Sequence, residues 1–188
     1  DRQLAIVHAC GAPDESRSHF KAMALMERGV EDERGPASGW IGRHLANLQN
    51  GNTSPLRAVG FGAITPRSLL GSVPAAALQS ITDFHFQGDA TSLQAFQRMV
   101  SQTYAADPGL GATGAATAAV AAEVQRLDPE LYRPVNGANY PGTDFGRALL
   151  QTAMLIKADL GLEVSAIDLG GWDTHFAQGG ASGWMAGL

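Results

Sequence analysis

The chain reads as an α/β protein, and three features predict that class. The clearest helical pattern, Asp144 to Leu160, is followed after one glycine by an apolar run, Leu162 to Leu169. That run ends in Gly170-Gly171-Trp172-Asp173-Thr174-His175, a glycine turn carrying a carboxylate and an imidazole. The front of the chain shows the same two periods in the other order. Leu4-Ala5-Ile6-Val7-His8-Ala9-Cys10 is a short apolar run bounded by Gly11 and Pro13, and a helical pattern follows it to Arg28. Helix, tight turn, buried strand and ligand-bearing loop together form an α/β unit.

Each element has its own local reason. The length and β-branched content of Leu4–Cys10 favour a buried strand, with Cys10 a buried structural thiol and His8 a core or strand-edge residue. Ser16 or Ser18 then caps a helix with Phe20, Met23, Ala24 and Glu27 at helical spacing, and Gly29 ends it. A second helix is expected over Gly39 to Leu48, with Trp40, Ile41, His44, Leu45 and Leu48 on one face, until Asn50-Gly51-Asn52 breaks it. Leu56 to Phe61 is a strand candidate weakened by Gly60 and Gly62. The stretch Leu69–Phe86 is irregular, with a short helix expected at Ala75–Ser80 and an extended piece at Phe84–Phe86, where His85 faces outward.

Ser92 to Tyr104 is amphipathic, with Leu93, Phe96, Met99, Val100 and Thr103 on one side. Ala115 to Leu127 is Ala-rich and of high helix propensity, and Val120, Val124 and Leu127 give it an apolar stripe. Pro134 to Gly142 is a loop. In the Asp144–Leu160 helix, Phe145, Leu149, Thr152, Ile156 and Leu160 follow the helical period, and Asp144 with Arg147 reads as a surface pair. Gly109-x-Gly111-x-x-Gly114 follows no strand, so it is a chance match to a nucleotide-binding loop.

Composition bounds the function classes. The 188 residues are 45% hydrophobic and 16% charged, which suits one globular domain rather than a disordered chain. A formal net charge of −5, with scattered basic residues, argues against a nucleic-acid binder. The single Cys10 excludes an internal disulfide. No apolar run reaches the roughly 18 residues of a membrane span. The sequence opens at Asp1 directly before a strand, so it reads as cut at the front.

Two segments carry candidate chemistry. Asp173 and His175 offer a carboxylate and an imidazole, both good ligands for a divalent metal, Zn²⁺ foremost. Their position after a strand matches the place where parallel sheets bind ligands. A catalytic zinc site needs at least three protein ligands, so other segments must contribute. The competing reading is a glycine turn whose Asp caps the next helix. The second segment is Ser16-Arg17-Ser18-His19. A hydroxyl at a strand-to-helix turn is placed for nucleophilic attack, the helix start favours an anion, and Arg17 suits a phosphate or sulfate. The competing reading there is a Ser N-cap flanked by surface groups.

These segments, together with Met26-Glu27-Arg28-Gly29 and Gly39-Trp40-Ile41-Gly42-Arg43, resemble the domain of unknown function 1501 family of bacterial exported proteins. The resemblance spans nearly the whole chain and is weakest from about Phe84 to Tyr140, so 84–140 reads as a helical family-specific insertion in a single 1–188 domain. It implies part of a doubly wound, mostly parallel sheet flanked by helices, as in alkaline phosphatases and sulfatases. It also implies export to the periplasm or cell surface, usually on a twin-arginine signal, and a metal-dependent hydrolase acting on a small anionic ester. By motif, Ser16, Arg17, Ser18 and His19 fall near the nucleophile position, and Asp173 and His175 near a metal-ligand position.

The family's earlier Gly-Gly-x-Asp strand end and its later Ser-Glu-Phe-Gly-Arg-Thr and Gly-Thr-Asp-His-Gly segments have no counterpart in this chain. On that comparison the chain is expected to be an internal fragment with an incomplete metal site. Two rival readings stand beside the hydrolase. One is a non-catalytic member of the fold that binds a partner or polysaccharide. The other is a serine esterase using Ser18 and His175, which lacks a Gly-x-Ser-x-Gly elbow.

Overall fold

A computed structural model describes residues 5, 7, 10–84, 88–105, 111–127, 129, 131–173 and 179–183. Three short strands, β1 (Ala58–Phe61), β2 (Ala76–Leu78) and β3 (Val164–Ile167), form a parallel sheet in the order β2-β1-β3. Val59 pairs with Ala76 on one side and with Ser165 on the other. Helices α1 (His19–Arg28) and α2 (Trp40–Asn47) precede the sheet. Helices α3 (Ile81–Phe84), α4 (Ala90–Ala105), α5 (Gly111–Val124) and α6 (Asp144–Lys157) lie between β2 and β3. The α/β class and the parallel sheet flanked by helices are thus as the sequence predicts.

The central strand alternates, and its two faces feed two cores. Val59 and Phe61 pack with Leu56, Leu78 and Ile81 against Val120, Val124 and Leu127 of the α5 region and Met154 and Leu155 of α6. Ala58 turns the other way, to Leu45 of α2 and Leu69 of the 3-10 turn Arg67–Leu69. Period-two burial on both sides is the signature of a covered parallel strand. Gly60, which weakened the strand prediction, has a steric reason to be there. A Cβ at Gly60 would lie 2.3 Å from Cδ of Pro66, so only glycine lets the β1–β2 connection cross this close.

Several expectations are corrected. Ala75–Ser80 is not helical; it contains β2, because edge pairing to β1 overrides the helix propensity of its alanines. Phe84 closes α3, while Phe86 and His85 lie outside the described residues. Strand β3 is half-buried rather than buried, as befits an edge strand paired on one side. Helix α1 buries Leu25 and leaves Phe20 and Met23 exposed, and α2 buries Gly42 and Leu45 while His44 and Trp40 face outward.

Cys10 is exposed, its thiol donating to the Val7 carbonyl, so it is no buried structural group. Of the expected first strand, only Ala5, Val7 and Cys10 are described, and His8 lies outside them. The predicted stripe Val120, Val124, Leu127 is buried as expected, and α4 packs on α5.

The amino ends of β1 and β3 are tied by an ion pair. Arg57 is buried, and its Nε meets Oε2 of Glu163 at 2.6 Å. Asn50 and Asn52 each donate to Oε1 of Glu163 at 2.7 Å, and the Glu163 and Val164 amides both donate to the Arg57 carbonyl. Burial works to raise the Glu163 pKa, but the hydrogen bonds from Arg57, Asn50 and Asn52 outweigh it and hold the carboxyl below its ordinary value.

Candidate active site at the carboxyl edge of the sheet

The segment before α1 is built around a carboxylate. The Ser16 hydroxyl donates to Oδ2 of Asp14, and Lys21 Nζ reaches Oδ1 at 3.0 Å. Only 7% of the Asp14 side chain is exposed, and the Ser16 hydrogen bond, then Lys21, hold its pKa below the usual value. The Ser18 amide donates to Ser16 Oγ at 3.2 Å, closing a local turn. Ser18 is the N-cap of α1, its Oγ accepting from the Lys21 amide at 3.3 Å, and Gly29 closes the helix in the left-handed conformation at φ 60°. Between the two serines, Arg17 sits at φ 57°, a region costly for a residue with a Cβ.

The structure therefore separates Ser16 from Ser18. The Ser18 oxygen completes a helix cap, whereas Ser16 is oriented by a nearly buried acid. Asp14 and Lys21 were missed by sequence reasoning. The spacing Asp14-x-Ser16, an Asx–hydroxyl turn, was the available signal.

From the other end of the chain, β3 runs out through Asp168 and the Gly170-Gly171 turn, with Gly171 at φ 91°, to Asp173. Asp173 Oδ2 lies 3.4 Å from Nε2 of His19, the first residue of α1. About half of each side chain remains open to solvent, at 61% and 51%. Two segments singled out separately in the sequence thus meet. Thr174 and His175 lie outside the described residues. Among the described residues, no group of three or more His, Cys, Asp or Glu side chains is arranged to hold a metal ion. His19 and Asp173 supply two donors of the right chemistry for zinc, one short of the three a catalytic site needs.

A cavity of about 540 Å³ opens along the same edge. Gly62 and Ala63 after β1, Gln79 and Ser80 after β2, and Asp168 after β3 form its floor, and the first turns of α6 form a wall. Thr143 caps that helix, accepting from the Gly146 amide at 3.1 Å. The expected Asp144–Arg147 surface pair is present with both side chains exposed, and it also borders this cavity. Sequence reasoning missed the cavity because Gln79 and Ser80, which follow β2, fall in the Ala75–Ser80 stretch expected to be helical.

No family model matches the chain, and no curated protein or solved structure shows significant similarity to it. Among the described residues, no helix is long and apolar enough to cross a membrane.

Proposed function

We propose that this chain carries part of the active site of an exported, metal-dependent hydrolase of phosphate or sulfate esters, related to the domain of unknown function 1501 family. The observation that carries this reading is the His19–Asp173 contact. Two ligands bound to one tetrahedral metal by bonds of ~2.0–2.1 Å stand about 3.3–3.4 Å apart, and these donors are 3.4 Å apart. His175 is the proposed further ligand, two residues beyond Asp173. When bound, the metal would supply Lewis-acid polarisation of the ester oxygen.

The chain's own residues take the other roles. Ser16 is the proposed nucleophile, positioned by Asp14. Arg17, exposed beside it, binds the anionic ester group. Ser18 is assigned to capping α1 in this reading, because its Oγ accepts from the Lys21 amide.

The test is metal analysis of the full-length protein with a panel of aryl phosphates and aryl sulfates. Bound divalent metal and turnover are expected, with turnover falling roughly a hundredfold or more in Asp173→Asn and His19→Ala. A protein with no metal above background and no turnover sinks the proposal. A second reading, partner binding without catalysis, is favoured by Phe20 and Trp172, which flank the contact and are 85% and 55% exposed. Under that reading Asp173→Asn keeps partner binding intact.

A further inference from the structure

We infer that the cavity at the carboxyl edge of the sheet binds a neutral, polyhydroxylated small molecule of the sugar class. Its volume of about 540 Å³ falls within the ~300–1,000 Å³ of small-molecule clefts. It lies outside the carboxyl ends of all three strands, where parallel sheets place their ligands.

Charge decides what kind of ligand fits. Two carboxylates, Asp144 and Asp168, border the cavity against one guanidinium, Arg147. The balance is negative, so a phosphate or sulfate group is repelled. Arg147 already donates to Asp144 and to the Gly142 carbonyl. A guanidinium has five N–H donors, so others remain to meet a ligand acceptor. The exposed Asp168 carboxylate can only accept, and the Gln79 amide does both.

A hydroxyl group both donates and accepts, so a polyol satisfies all three side chains at once. A diamine would meet Asp168 and leave Arg147 unmatched, and an apolar ligand would strand every polar group. Phe61 gives the apolar surface on which a sugar's C–H face rests.

The wall is also fixed in advance. Gln151 accepts from the Ile81 amide and donates to the Arg147 carbonyl at 3.3 Å, which ties the start of α3 to α6. A pocket held in its binding shape loses less entropy on association. The inference does not depend on the hydrolase reading, because it concerns different residues and needs no metal.

The experiment is saturation-transfer NMR and calorimetry of the full-length protein with methyl glycosides and neutral disaccharides, with inorganic sulfate and putrescine as competitors. At least one neutral sugar binds at millimolar concentration or tighter. Asp168→Asn and, separately, Arg147→Gln weaken it about tenfold. Both side chains are exposed, so each variant is expected to keep the wild-type melting temperature, which checks its fold. Binding is read without turnover, so a protein that hydrolyses nothing still passes or fails this test by itself. No binding of any neutral sugar overturns the inference. So does affinity indifferent to both substitutions, or displacement of the sugar by sulfate or putrescine.

Discussion

The two edges of the sheet carry the same pair of side-chain types and use them in opposite ways. At the amino edge, Arg57 and Glu163 face each other, and Asn50 and Asn52 close over the carboxylate. At the carboxyl edge, Arg147 and Asp144 also pair, but 58% and 97% of their side chains are exposed and a cavity opens beside them. An ion pair whose remaining lone pairs are met by protein amides holds strands together. One that keeps donors facing a cavity is equipped for a ligand. The His19–Asp173 contact is likewise open to solvent, with about half of each side chain exposed.

The largest expected effect tests whether this division is real. Arg57→Ala removes a buried guanidinium and its ion pair with the more exposed Glu163, and so loses both the packing of the Arg57 stem and the link between β1 and β3. Thermal unfolding followed by circular dichroism should show a fall of several degrees in Tm. Asp168→Asn, at the opposite edge, should leave Tm where it is. If the two variants melt together, the amino edge is not the structural one.

How much of this was readable beforehand differs between the edges for a physical reason. Helix α6 and strand β3 were legible as elements because their signals are local, a helical period and Gly161 at φ 75°. The buried face of α6 was not, since Phe145, Leu149 and Ile156 are exposed and Met154 and Leu155 are buried instead. Strand β2 was not, since Ala76-Ala77-Leu78 favours helix by propensity and becomes a strand only by pairing with β1. The cavity vanished from view with it. His19 and Asp173 were each legible as chemistry, by residue type and by position at a turn. Their contact was not, because it joins opposite ends of the chain, and no local spacing encodes that. That Ser18 rather than Ser16 caps α1 likewise needed coordinates, since both fit an N-cap in sequence.

That choice gives the next prediction, of intermediate size. Ser18→Ala removes the side-chain acceptor for the Lys21 amide and should cost about 1 kcal/mol in denaturant unfolding. Turnover or metal content, if present, should change little. Ser16→Ala should do the reverse: little loss of stability, because Ser16 is exposed, and loss of turnover. Equal effects of the two substitutions on activity would erase the distinction between cap and nucleophile.

The smallest expected effect comes from acid, and it sharpens the comparison further. Glu163 titrates below about 4.5, the ordinary value for a glutamate, in the folded chain. Near that pH the unfolded chain therefore binds more protons than the folded one, so stability rises with pH through this window. The Glu163 contribution is fully present above its unfolded pKa and is lost as pH falls through its lower folded value. Asp14, Asp32 and Asp89 are depressed too, and they add the same sign of dependence at slightly lower pH. Urea unfolding between about pH 6 and pH 3 should therefore show falling stability. In Glu163→Gln the descent should be shallower and start lower, with the residual slope belonging to the three aspartates. An unchanged slope in that variant would mean that the amino-edge carboxylate is not held in its charged form by Arg57 and the two asparagines. The contrast between a closed edge and an open one would then rest on the cavity alone.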